Sequence, residues 1–458
     1  MFMIHGLKFN RIIIAGTGSN CGKTTVTCAL LKALMNKGLK VASFKSGPDF
    51  IDPMFHTRIT GTKSRNLDML LCGENTTKQL FAKNSQGMDI SVVEGVMGLY
   101  DGLGMNSMDY SSNDLSLKTD TPVILVVNCK GMGRSVAALI KGYLEFAENN
   151  IKGVILNGIS PGMYPYYKEL IENNNEIKVL GFIPNLPEVS IGSRHLGLIT
   201  ADEIDDLKNK IDILANIAKE YIDLDDLIEL ASGAPRLFYE EYNVEKLGKT
   251  KIAIARDNAF SFYYEDVIDL LKELGAEIIS FSPIHDKSLP KDIGGLVIGG
   301  GYPELYLEEL SGNHSMLNSI RSNINKGIPT YAECGGFIYL GKTIEGSPMV
   351  NLIETDSVLT KGLQNFGYID LQANEDNILC KMGESIKGHE FHYARSDFEG
   401  ESFTATKIST GKKRTCILAK DNIFAGFPHL NLWGNVDFAK NFVKQCIEYS
   451  SKSESRED

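Results

Sequence analysis

The sequence predicts an α/β protein built from two doubly wound modules, and three observations carry that prediction. Short, glycine-bounded, β-branched runs alternate with amphipathic stretches across residues 11–159. The same alternation restarts at residue 251, after an acidic and then irregular stretch. Glycine outnumbers proline 44 to 14, which suits many tight turns and few Pro-rich linkers. Unbroken apolar runs of this length mark strands buried on both faces of a parallel sheet, and strand–helix alternation marks the α/β class.

Taken in order, RIIIAG (Arg11–Gly16), KVASF (40–44), DISVVEG (89–95), TPVILVVN (121–128) and IKGVILNGI (151–159) read as strands. TTVTCALLKALMNKG (24–38) and RSVAALIKGYLEFAENN (134–150) read as helices between them. Residues 202–221 are acidic and helical, and SGAPRLFYEEYNVEKLGKT (232–250) is irregular, which places a boundary near Tyr242. The second series is KIAIARD (251–257), AEIISFSP (276–283), GGLVIGGGYPE (294–304) and GIPTYAECGG (327–336). The expected division is 1–241, 242–449 and a polar tail, 450–458, that frays.

Composition narrows the partners. A chain of 458 residues with 43% hydrophobic and 23% charged residues has ordinary globular character, which excludes wholesale disorder. A net charge of −11 removes weight from general nucleic-acid binding, which needs a basic face. An anionic substrate then has to be met by local cations or a metal. No apolar run approaches the ~18 residues of a membrane span, and residues 1–11 lack a cationic, then apolar leader. The eight cysteines are scattered without a C-x-x-C pair, so the expectation is a cytoplasmic protein with no nucleic-acid or membrane partner.

GTGSNCGKTT (16–25) follows the first strand and opens a helix, the context in which loop N–H groups cradle phosphates. Gly18, Asn20, Cys21, Gly22, Lys23, Thr24 and Thr25 are the expected nucleotide-binding positions, with Lys23 on the β- and γ-phosphates and Thr24 on Mg²⁺. The leading glycine falls at Gly16, one residue before the usual position, which is Thr17. FKSGPDFIDPMFH (44–56) carries Lys45, Asp49 and Asp52, and VVEGVMGLYDG (92–102) carries Glu94 and Asp101. Ligands of parallel sheets sit beyond the C-terminal ends of strands, so these groups are expected in one crevice, with carboxylates suited to Mg²⁺.

In the second module, Cys334 stands at a strand–turn–helix within YAECGG, the arrangement of a nucleophile elbow. A helix N-terminus there favours the thiolate, and Gly299, Gly300 and Gly301 are expected to offer N–H groups to an oxyanion. His389, His392 and His429 are the candidate bases, and spacing does not choose among them.

With GTGSNCGKTT, FKSGPDFIDPMFH, VVEGVMGLYDG, LGxxP (180–184), RHLGL (194–198), GGGYPE, YAECGG, GHEFHYAR and FPHLNL quoted, the whole chain resembles the cobyrinic acid a,c-diamide synthase family of corrinoid biosynthesis. The resemblance implies a dethiobiotin-synthetase-like P-loop amidoligase joined to a class I glutamine amidotransferase of the cobyric type. It implies ATP and L-glutamine as co-substrates, Mg²⁺, and cobyrinic acid, a tetrapyrrole acid, as acceptor. It implies Cys334 as nucleophile and His429 as its partner. Thr24, Asp49 and Glu94 become the metal ligands, with Asp52 close behind. Lys45, Asp52 and Asp101 face the substrate or acyl phosphate, and Asn157 reads adenine. Ordinary class I members carry a glutamate two residues after the histidine, where this chain has Asn431, so a Cys–His dyad is expected. A homodimer is carried as an expectation. The alternatives are an a,c-diamide synthase for hydrogenobyrinic acid or a nickel tetrapyrrole, and a deviant-Walker regulatory ATPase without glutaminase chemistry.

Overall fold

The computed structural model describes residues 4–186 and 207–457, which fall into two compact units, Met1–Tyr242 and Asn243–Asp458. The RHLGL motif lies outside the described residues. In the first unit seven parallel strands run in the order Arg65–Leu67, Val41–Ser46, Ile90–Glu94, Arg11–Gly16, Val123–Asn128, Ile151–Asn157 and Lys178–Ile183. The central strand is buried at every position: residues 12–16 are an apolar run between two helical layers, and the buried Arg11 donates to the Thr119 carbonyl. Ile13, Phe44, Val93, Leu125 and Leu156 join its core.

The helix Lys23–Asn36 follows the central strand directly. It buries Val26, Cys28, Ala29, Leu30, Leu31, Ala33 and Leu34, packs against the helix Leu207–Tyr221, and closes at Lys37, whose N–H reaches the Ala33 and Leu34 carbonyls. The irregular stretch after residue 232 holds one strand, Leu237–Glu240, paired antiparallel with Ile4–Leu7. That pairing is non-local, and no alternation within either segment announces it.

The second unit has a six-stranded sheet in the order Ala276–Phe281, Thr250–Ala255, Gly295–Ile298, Thr330–Glu333, Ile423–Gly426 and Leu418–Lys420, parallel except for its last strand. Its core includes Ala253, Leu296, Ala332, Phe337 and Phe427. Two further sheets go beyond a plain doubly wound module. A five-stranded antiparallel sheet contains Asn365–Ala373, Ser385–His392 and His429–Leu430. A four-stranded sheet contains Asp356–Leu359 and Ala394–Ser396. The last helix, Val436–Glu457, runs on through the polar segment that follows residue 449. Among the described residues no helix is long and apolar enough to cross a membrane.

Candidate active sites

Two clusters of chemistry-bearing side chains stand at strand ends, one in each unit. In the first, the loop after the central strand turns through Asn20 (φ 60°) and Gly22 (φ 100°) into the helix. Gly22 is required twice over. Its φ disfavours any L side chain, and an added Cβ would lie 2.0 Å from Asn157 Nδ2. Lys23 is buried and its ammonium donates to the Gly18 carbonyl at 2.8 Å. Burial lowers its pKa, opposed by the charges of Cys21, Glu94 and Asp101.

Glu94 is the hub of this cluster. It ends the strand beside the central one, so its carboxylate meets the first turn of the loop helix. Oε1 accepts the Thr24 hydroxyl at 2.6 Å and Lys45 Nζ at 3.2 Å, while Oε2 meets His56 Nε2 at 2.8 Å. Lys45 also lies 2.8 Å from Asp52 Oδ2 and donates to the Gly95 carbonyl at 2.9 Å. Asp52 Oδ1 is 3.5 Å from the Thr24 hydroxyl. Asp52 and His56 sit four apart on the helix Ile51–Thr60, hence on one face. Burial alone would raise the Glu94 carboxyl, but Lys45, His56 and Thr24 hold it down at about 2.

Several expected roles change here. Asp49 turns onto its own loop, its Oδ1 capping the Ile51 N–H at 2.8 Å, so Asp52 is the aspartate that joins Thr24 and Glu94. Lys45 is enclosed between two carboxylates and does not stand out as a cation for a polyanion. Asn157 donates its amide to the Cys21 carbonyl at 2.9 Å, so it supports the phosphate loop. Asp101 is exposed and accepts the Gly98 N–H at 2.7 Å, in a turn that passes close to Gly18. His56 was missed, although its spacing from Asp52 signals a shared helical face.

The Glu94 cluster predicts an acid response. A carboxylate depressed in the fold contributes stability that is full above its ordinary value of 4.5 and is lost as pH falls towards about 2. Denaturant midpoints measured across that window should fall less steeply for Glu94→Gln than for the unchanged chain.

In the second unit, Cys334 occupies the turn between Thr330–Glu333 and the short helix Gly335–Leu340 at φ 47°, ψ −101°. A positive φ on a side-chain-bearing residue is strained, and the surroundings hold it: Cys334 N–H donates to the Gly426 carbonyl at 2.7 Å. Of the three candidate histidines, His429 hydrogen-bonds Cys334. His389 lies against the rings of Phe366 and Tyr368. His392 stacks on Phe427 at 3.9 Å, donates Nδ1–H to the Ala394 carbonyl at 2.7 Å, and is pushed by burial down to about 4.

His429 is buried, and burial opposes its charge. Hydrogen bonds and charge from Cys334 and Glu333 outweigh that, raising it to about 10. The ring packs so closely over Gly300 that a Cβ there would lie 2.5 Å from His429 Cε1. Gly299 departs from the expected oxyanion role: its N–H donates to the Tyr263 hydroxyl at 2.9 Å. The Gly301 backbone passes close to the elbow, its nitrogen 3.1 Å from where a Gly335 Cβ would stand. Asn431, at the position of the usual glutamate, accepts the Trp433 N–H at 3.2 Å and caps a turn.

A phosphate loop with a buried acid–hydroxyl cluster, and in the same chain a strained cysteine paired with histidine, define a nucleotide-dependent glutamine amidotransferase. Residues 12–198 match the CobQ/CobB/MinD/ParA nucleotide binding domain, and residues 251–436 match the CobB/CobQ-like glutamine amidotransferase domain. The chain is 44% identical to the cobyrinate a,c-diamide synthase of Clostridium tetani, over 95% of this chain and 99% of that protein. It is 40% identical to that of Caldanaerobacter subterraneus subsp. tengcongensis, over 96% and 99%. It is 39% identical to that of Thermoplasma volcanium, over 98% and 100%. The chain belongs to the cobyrinate a,c-diamide synthase family.

Proposed function

We propose that the chain converts the a- and c-carboxylates of cobyrinic acid into amides, with ATP and glutamine consumed once per amide. The observation that carries the reading is the presence, in one chain of this family, of the Thr24–Glu94–Lys45 cluster beside a phosphate loop and of a cysteine hydrogen-bonded to a buried histidine. The glutaminase module also weighs against a regulatory ATPase, which has no use for one.

A carboxylate resists ammonia because an oxide is too poor a leaving group. In this reading a carboxylate oxygen attacks the γ-phosphorus of ATP, ADP leaves, and an acyl phosphate forms. Lys23 and the loop N–H groups offset the negative charge shared by the transferring phosphoryl group. Thr24, Glu94 and Asp52 offer hard oxygen donors suited to Mg²⁺, and Lys45 already holds a cation against the two carboxylates. Bound Mg²⁺ would supply further charge neutralisation at the phosphates.

Ammonia then attacks the acyl carbon, phosphate leaves, and the nitrogen loses a proton to give the amide. That ammonia comes from glutamine. The Cys334 thiolate attacks the side-chain carbonyl carbon, and the backbone near Gly301, which passes close to the elbow, is the candidate source of N–H groups for the oxyanion. The His429 imidazolium gives its proton to the departing nitrogen. Water then cleaves the thioester, releasing glutamate and restoring the thiol.

The test is incubation of the full chain with ATP, glutamine and a panel of tetrapyrrole acids, followed by mass spectrometry. Each amide formed lowers the mass by one unit. Two successive losses on cobyrinic acid are expected, and no loss on any member of the panel would refute the reading.

A further inference from the structure

We infer that Glu333, the residue immediately before the nucleophile, is the positioning residue for His429 and completes a Cys334–His429–Glu333 triad. The inference rests on the amidotransferase reading above and corrects the expected dyad. A histidine acting on a thiol uses one ring nitrogen and must have the other held, so that tautomer and ring orientation are fixed. His429 Nδ1 lies 3.1 Å from Glu333 Oε2, which leaves Nε2 for the thiol. Glu333 is itself fixed. Its Oε1 accepts the Leu430 N–H at 2.9 Å, next to the histidine in sequence, and the Tyr331 hydroxyl. Both Glu333 and His429 are buried, so water does not compete for this pair.

The position has a mechanical consequence. Glu333 is the last residue of the strand that carries the elbow, so nucleophile and orienting group sit on one backbone segment in the middle of the sheet. His429–Leu430 arrives from a different sheet, and Glu333 ties it to that segment through both a side-chain and a main-chain bond. Asn431 is turned to the Trp433 N–H. Other titratable groups surround the pair without replacing Glu333. His389 stands opposite His429 in the strand register, and His392 is held neutral by burial. Tyr331 and Tyr263 adjoin Glu333, and burial raises both above their ordinary range.

Glutamine hydrolysis by the full chain with ATP present, followed across pH, tests the assignment without any tetrapyrrole. In Glu333→Gln, kcat should fall by about 100-fold or more with KM for glutamine little changed. The alkaline limb, set by loss of the His429 proton, should move to lower pH by about one unit, because an anion that favours the imidazolium is gone. Asn431→Ala should leave kcat and the limb in place. A wild-type kcat and an unmoved limb in Glu333→Gln overturn the assignment, as does a kcat loss with the limb unmoved, which marks a structural role alone. If the melting profile shows that Glu333→Gln does not fold, Glu333→Asp decides: a kcat lowered at least about tenfold with a shifted limb supports the assignment, and wild-type values refute it. An unaltered chain that hydrolyses no glutamine overturns the amidotransferase reading itself, and this assignment with it.

Discussion

Cys334→Ala should lose glutamine-driven amidation by about four orders of magnitude or more, while ammonium salts still support product. The substitution removes one sulfur from a half-buried site and leaves the elbow's backbone demand unchanged, since alanine meets the same positive φ as cysteine. The Cys334 N–H bond to Gly426 does not use the side chain, and His429 keeps Glu333. Nothing in the change therefore reaches the fold of the second unit, and the first unit keeps its own phosphate-loop cluster. Two assays run side by side, one fed glutamine and one fed ammonium at mildly alkaline pH, read the outcome. Loss of both activities in a chain with an unchanged melting profile would mean that the two chemistries are not separable, and the two-site account would fail.

The parallel sheets and the strand–loop–helix contexts were legible because they depend on local pattern. An apolar run such as residues 12–16 has few places to go but the middle of a sheet, and GKTT after it has one familiar use. What was not legible depends on contacts between distant residues. Asp49 and Asp52 carry the same side chain three residues apart, and the start of the helix at Ile51 separates them: Asp49 stays in the loop and accepts the Ile51 N–H, while Asp52, on the helix, turns inward to Lys45. Lys45 reads as a free cation until Glu94 and Asp52 arrive from elsewhere in the chain. Gly299 reads as an oxyanion donor until Tyr263, 36 residues away, takes its N–H. Glu333 was visible as a neighbour of Cys334, but its partner lies 96 residues on. The antiparallel sheets of the second unit depend on distant contacts too: Asn365–Ala373 alternates buried and exposed positions from Ile369 on, but its partners, Ser385–His392 and Phe403–Lys407, are set by non-local pairing.

Lys23→Ala should abolish amidation from either nitrogen source, and the contrast with Lys45→Ala shows why. Both lysines are buried and both stand near Glu94, yet their partners differ. Lys23 donates to one carbonyl, that of Gly18, and burial disfavours its charge. Its removal therefore costs the fold little. The lost cation is one that phosphates would meet, and about a thousandfold or more of phosphoryl-transfer rate should go with it. Lys45 is the cation between Asp52 and Glu94, both buried, so Lys45→Ala leaves two carboxylates facing each other with His56 as the remaining side-chain partner that could carry charge on Glu94. Breaking a buried pair in that way costs about 3–5 kcal/mol. The expected pattern is a Lys23→Ala chain with a normal melting profile and no turnover, beside a Lys45→Ala chain that is visibly destabilised. ATP-dependent amidation surviving in Lys23→Ala would remove the phosphate loop from the chemistry, because no second buried ammonium in that cluster is free of carboxylate partners among the described residues.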